Sequence, residues 1–128
     1  MPKSVLVDTD VMVDFLRGHP KAVTFVKREM NRIVFSSIVV AELYAGVRGA
    51  DELAVLDAFI SLFRVMPVSA AIARTAGLHK RGYAKSHGIG LADAIIAATA
   101  EAEDAELCTL NTKHYPMFKA LKPPYTKT

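Results

Sequence analysis

Cysteine is nearly absent. The 128 residues include one, Cys108, so no disulfide can form within the chain. A lone thiol in the strand-like run Leu107–Leu110 reads as a small buried hydrophobe, and it fits a reducing cytosol. Also missing is any uninterrupted apolar stretch near the ~18–20 residues a membrane helix requires. This holds although 52% of the residues are hydrophobic and the mean hydropathy is +0.24. Met1-Pro2-Lys3-Ser4 lacks the tripartite pattern of a secretory signal, and no repeat, low-complexity tract or linker follows it. Membrane and secreted classes are therefore not expected, and a cytoplasmic location is. A strong charge of one sign is lacking too. The net charge of +3 and pI of about 9.1 permit a polyanionic partner without requiring one. The length suits a single domain, 1–128, large enough to bury a core.

Short apolar runs alternate with helical patterns. Ser4–Asp8 reads as a buried strand closed by an acid. Asp10–Arg17 is expected to be a short helix stopped by Gly18-His19-Pro20, and a second helix runs from Pro20 to about Met30. Ile33–Phe35 reads as a strand, and Ser36-Ser37 can cap the helix Ile38–Val47, which Gly49 ends. A helix Asp51–Phe63, a strand Arg64–Val68 and a long helix from Ser69 to about Ser86 come next. Gly88-Ile89-Gly90 breaks the chain before the apolar helix Leu91–Ala102. Leu107–Leu110 is a fourth strand, Asn111–Phe118 a short turn or helix, and Pro123-Pro124 marks an irregular tail. Such alternation implies a mostly parallel sheet covered by helices on both faces. In sheets of that kind the site lies outside the carboxyl ends of the strands.

Three carboxylates stand in apolar company. Asp8 ends Val5-Leu6-Val7, Glu42 interrupts Ile38-Val39-Val40-Ala41 before Leu43, and Asp93 sits inside an apolar helix. An ionised carboxylate among aliphatic side chains costs several kcal/mol unless something compensates it. Each has a bland alternative: Asp8 can cap a helix, Asp93 can serve its helix dipole, and Glu42 can pair with Arg48. The strand and helix ends they occupy can converge on one sheet edge, with Asn111 after the fourth strand. Three hard oxygen donors with few nearby histidines favour Mg²⁺ or Mn²⁺ over Zn²⁺. Such an ion suits phosphodiester hydrolysis. Asp10 can join through a water, and Thr9 and Thr109 offer hydroxyls at the same edge. Asp14 is expected to cap or to pair with Arg17.

Four segments together resemble a family. Val5-Leu6-Val7-Asp8-Thr9-Asp10-Val11-Met12-Val13-Asp14-Phe15-Leu16-Arg17-Gly18 is similar to the opening motif of PIN-domain ribonucleases of the VapC toxin type. Ser36–Gly46, Gly88–Ala100 and Thr109–Tyr115 resemble their second, third and fourth motifs, in order. The resemblance implies a PIN-like α/β three-layer sandwich with a central sheet of about four or five short strands. It implies a Mg²⁺- or Mn²⁺-dependent endoribonuclease, held inactive by a VapB-type antitoxin and commonly paired as a homodimer. Asp8, Glu42 and Asp93 carry over as metal ligands. Where the family often has a further acid, this sequence offers Asn111 and His114. Asn111 can orient a water but adds no charge, so one firmly held ion is expected.

Arg74, Arg81 and Lys85 fall roughly on one face of the long helix, with His79, Lys80, Tyr83 and His87 around them. They can contact RNA phosphates, with Tyr83 available for stacking, or form a solvated face. Lys113 is similarly placed beside the fourth motif. Phe59, Leu62 and Phe63 read as core, or as part of the dimer or antitoxin surface that the resemblance implies. Two other functions fit parts of the pattern. Val-Leu-Val-Asp8-Thr9-Asp10 also matches the opening of haloacid-dehalogenase-like phosphatases, in which Glu42 has no role. A non-catalytic RNA- or partner-binding module would explain the missing fourth acid.

Overall fold

A computed structural model of the chain describes residues 3–127. The elements run β1 (Val5–Val7), α1 (Thr9–Leu16), α2 (Pro20–Glu29), β2 (Ile33–Ser36), α3 (Ser37–Ala45) and α4 (Gly49–Ile60). They continue with β3 (Arg64–Met66), α5 (Ala70–His87), α6 (Leu91–Glu103), β4 (Glu106–Cys108) and a 3₁₀ turn, Thr112–His114. The sheet has four strands in the order β3-β2-β1-β4, all parallel. Val5-Leu6-Val7 aligns with Glu106-Leu107-Cys108 on one side, while Val5 and Leu6 align with Ile33 and Val34 on the other.

Chain order steps outward from β1 to β2 to β3, then returns to the opposite edge at β4. Right-handed crossovers therefore send the helices of the outward steps and of the return to opposite faces. The direction of travel reverses between β1 and β4. That crevice is the switch point at which ligands bind in open α/β sheets.

Local chemistry explains the element ends. Ser36 Oγ accepts from the Ile38 N–H at 3.3 Å, and Ser69 Oγ accepts from the Ile72 N–H at 3.1 Å, so each serine caps the helix after it. Several ends depart from expectation by a few residues. β4 stops at Cys108, opposite Val7 of β1. β3 stops at Met66 because Pro67 has no N–H for the ladder. α4 begins at Gly49, where φ is +77°, rather than ending a helix there. Gly88 closes α5 with φ +62°, a conformation that favours glycine. The turn it makes buries Ile89 and is tied back by Lys80 Nζ on the Ile89 carbonyl at 3.1 Å, which fixes where α6 starts.

β1 is wholly buried, as are Val11, Met12, Val26, Phe35, Val39 and Ile96. Phe59 and Phe63 belong to this core, stacked or edge-on with Phe15 and Phe35, whereas Leu62 is exposed. Among the described residues no helix is long and apolar enough to cross a membrane. Cys108 is buried, and burial pushes its thiol up to about 12, so it stays protonated and inert.

Candidate active site

Asp8 is held twice, at the end of β1 and as the cap of α1. Its Oδ1 accepts from the Thr9 N–H at 2.7 Å. Its Oδ2 accepts from the Thr109 hydroxyl and from the Tyr115 hydroxyl, each at 2.8 Å. Tyr115 is 1% exposed, and its oxygen also lies 3.2 Å from Asp93 Oδ1. One phenolic proton therefore faces two carboxylates supplied by β1 and α6. Asp93 Oδ2 lies 3.0 Å from His114 Nδ1, which lies 2.9 Å from the Asn111 amide nitrogen. A proton on Nδ1 serves Asp93; without it the ring accepts from Asn111, so the two bonds exclude each other.

The network extends to the other acids. Thr9 Oγ1 donates to Glu42 Oε1 at 2.7 Å, which joins α3 to α1. Asp10 Oδ1 accepts from the Val11 N–H at 2.7 Å, and its Oδ2 accepts from the Leu110 N–H at 3.1 Å. The Thr109 hydroxyl stands 3.4 Å from Asp10, so its single proton goes to Asp8, while its oxygen accepts from the Asn111 N–H at 3.0 Å. The structure thus brings Asp8, Asp93, Glu42 and Asn111 into one network, which Asp10 joins beside Thr109 and the Leu110 N–H. Asp8 is indeed a helix cap and Asp93 does lie in the first turn of α6, so these ordinary roles coexist with the cluster.

Electrostatics reflect the crowding. Burial raises the Asp8 pKa, and the charge of Asp93 adds to the rise. Burial and then the charge of Asp8 push Asp10 up to about 6. Burial and the two carboxylates push the Tyr115 hydroxyl far up, so it remains a donor.

Other expected partners differ. Glu42 is exposed and bonds Thr9, not Arg48, whose own N–H bonds Glu52 at 3.1 Å. Asp14 is buried and unconnected to Arg17: Tyr125 donates to its Oδ2 at 2.8 Å, and Lys127 pairs with its Oδ1 at 2.9 Å. Arg74, Arg81 and Lys85 are exposed along α5, and Lys113 is exposed in the 3₁₀ turn next to His114. Tyr83 is half-buried against the cluster of Ile72, Ala76, Ile89, Ala94 and Ala98, with His79 and His87 rings 6.3 and 5.9 Å away, so it is not a free stacking platform. His79 itself contacts Glu101 at 2.5 Å. Tyr115 is the member of this network to which sequence reasoning gave no role. Its only signal was its place as the last residue of the fourth motif, with a hydroxyl that needs a partner once buried.

A carboxylate accepts about four hydrogen bonds. With the Thr109 and Tyr115 protons each counted once, on Asp8, that residue accepts three, Asp10 two, Asp93 no more than one and Glu42 one. Every acid thus keeps spare acceptor capacity. Among the described residues no three acids, histidines or cysteines already converge as a closed metal shell. The donor set nonetheless fits a hard divalent cation: it is oxygen-rich, and hydroxyls, N–H groups and one histidine compensate it without a fixed positive charge. Asp8 and Asp93 already face one hydroxyl, that of Tyr115.

The PIN domain family matches residues 5–118. Over 124 residues the chain is 44% identical to Ribonuclease VapC10 of Mycobacterium tuberculosis, covering 94% of this chain and 92% of that one. It is 46% identical to Ribonuclease VapC19 of the same organism, covering 94% and 98%. Its fold superposes on a toxin-antitoxin complex from Klebsiella pneumoniae with a TM-score of 0.83 at 26% identity, covering 95% of this chain and 98% of that one. It also superposes on VapBC2 from Rickettsia felis bound to a DNA fragment from their promoter, with a TM-score of 0.73 at 29% identity over 91% and 94%. Matched from its first strand to its last turn, and nearly half identical to two of its members, the chain belongs to the PIN-domain family, on the VapC branch.

Proposed function

We propose that the chain is an endoribonuclease, the toxin of a VapB–VapC-type pair, hydrolysing RNA phosphodiester bonds with Mg²⁺ or Mn²⁺. One observation carries the reading: acids from β1, α1, α3 and α6 share a single hydrogen-bond network at the β1–β4 switch point. Relatives named as ribonucleases and neighbours solved as toxin–antitoxin complexes support it. The haloacid-dehalogenase alternative loses its footing, because Glu42, idle in that scheme, is tied to the cluster by Thr9.

Asp8 and Asp93 would be the principal ligands, with Glu42 completing the set directly or through water. A divalent ion held by these carboxylates would supply an acidified water and charge to offset that developing on the phosphate. Asn111 orients that water through its amide. Lys113 beside the site, with Arg74, Arg81 and Lys85 on α5, attracts the RNA backbone. Water attacks phosphorus directly, the bond from phosphorus to the 3′ oxygen breaks, and 3′-hydroxyl and 5′-phosphate ends remain. In the cytoplasm a VapB-type antitoxin holds a homodimer of the chain inactive.

Incubating RNA with wild type and Asp8→Asn, with Mg²⁺ or Mn²⁺ and with EDTA, tests this. Cleavage by wild type alone, abolished by EDTA, is the expected result. RNA binding without cleavage by either protein would instead favour the non-catalytic module, the reading to which the uncharged Asn111 lends support.

A further inference from the structure

Asp8 and Asp93 come from elements far apart in sequence and repel each other, so something must set their separation before a cation does. Asp8 cannot wander: it is 6% exposed and accepts three hydrogen bonds. Asp93 is freer. It is only half-buried, and its two partners are Tyr115 and His114. The His114 contact depends on which partner its Nδ1 proton serves. The tyrosine can only donate, and its one proton is shared: the shorter bond goes to Asp8 Oδ2 at 2.8 Å and the weaker, forked one to Asp93 Oδ1 at 3.2 Å.

We propose that Tyr115 is a positioning residue of the ion site: its buried hydroxyl, shared by Asp8 and Asp93, holds the two carboxylates at a spacing a divalent ion can close. The proposal rests on the metal-dependent reading above. The phenol suits the task physically. Its ring is almost fully enclosed, lies 6.5 Å from Phe118 and sits at the end of the 3₁₀ turn that also carries His114. A rigid ring with two torsions places its oxygen more sharply than a longer, softer side chain would. Thr109 donates to the same Asp8 oxygen but reaches Asp10 rather than Asp93, so it does not duplicate the link.

Mn²⁺ titration of the full chain, followed by electron paramagnetic resonance of the free ion, reads the effect without RNA or turnover. Tyr115→Phe keeps the ring and removes the link; it should weaken Mn²⁺ binding about tenfold or more, with folding checked by circular dichroism. Unchanged or tighter binding in a folded Tyr115→Phe protein, even with a lowered melting temperature, assigns the hydroxyl to the core alone and overturns the proposal. Should that variant not fold, Asp93→Glu keeps the charge but moves the carboxylate off the shared hydroxyl. The same loss is expected there, and wild-type affinity overturns the proposal. Wild-type protein that binds no Mn²⁺ fails a different test: it overturns the metal reading, and the positioning role with it.

Discussion

Asp8 carries two duties with opposite effects on stability. As a cap it satisfies the start of α1, and as a buried charge beside Asp10 and Asp93 it strains the fold. Asparagine at this position can keep the first duty and shed the second. Its Oδ1 still accepts from Thr9, and its amide donates to the Thr109 and Tyr115 oxygens, both of which can accept. The freed Thr109 proton can turn to Asp10, and the freed Tyr115 proton to Asp93. Asp8→Asn is therefore expected to abolish RNA cleavage yet raise the metal-free melting temperature at pH 7 by a few degrees, on the order of 1 kcal/mol; a lower melting temperature would refute the strain argument. Asp10 gives a pH test. Its carboxyl ionises near 6 when folded, against 3.8 in the unfolded chain. Between those values the folded state holds the extra proton, so stability falls as pH rises through that window, and the loss is complete above it. Asp14 has the opposite sign. Burial would raise its pKa, but hydrogen bonds from Lys127 and Tyr125 more than offset this and lower it, so its contribution is lost only in stronger acid. Urea unfolding of metal-free protein from pH 4 to 7 should show the decline, and Asp8→Asn should flatten it by removing the neighbouring charge.

Among the elements, the strands and helices were readable because their signals are local. Apolar runs closed by Asp8, by Ser36 or before Pro67 mark the strands, and Ser69 and Gly88 bracket α5. Boundaries slipped where pairing decided the end, as at β4, which stops where its partner β1 stops. The tail was unreadable for a similar reason. Helical spacing offered Asp14 a partner in Arg17, whereas its partners lie in the last residues described. There Tyr125 also stacks on His19 at 5.7 Å and Lys21 donates to the Thr126 carbonyl at 2.5 Å, so the tail straps the α1–α2 corner around the buried Asp14 carboxylate. Tyr125→Phe should cost about 1–2 kcal/mol of stability, as expected for a hydrogen bond to a charged, sheltered acceptor. Denaturant melts would measure it, and a change within a few tenths of a kcal/mol would mean the strap is ornamental. Because the strap grips α1 one turn beyond Asp10, hydrogen exchange in α1 should accelerate in the same variant.

For the molecule as a whole, the strand order gathers the cluster by reversing the direction of travel between β1 and β4, so the end of β1 and the turn after β4 meet. The acids were legible in sequence because apolar surroundings make a carboxylate conspicuous; the fold only had to bring them together. Thr9 and Thr109 showed only as hydroxyls at the same edge, and Tyr115 not at all, because a hydroxyl looks the same in sequence whether it meets water or an acid. Their number in the network bears on the metal-free state: hydroxyls spread negative charge without cancelling it, so a folded chain short of countercharge at one edge should gain from a divalent cation. At a concentration of about 100 times Kd that gain is about 2.7 kcal/mol, or on the order of 10 °C in melting temperature for a chain of this size. Mg²⁺ or Mn²⁺ should therefore raise the melting temperature of wild type at pH 7. The rise should shrink near pH 5, where Asp10, which ionises near 6, is protonated and the charge at the edge is lower. It should shrink also in Asp93→Asn, which retains the fold but offers one carboxylate fewer. Differential scanning calorimetry with Ca²⁺ as a further arm would separate a shaped site from generic screening. If all ions at equal ionic strength shift wild type and Asp93→Asn alike, the acids share an edge but not an ion.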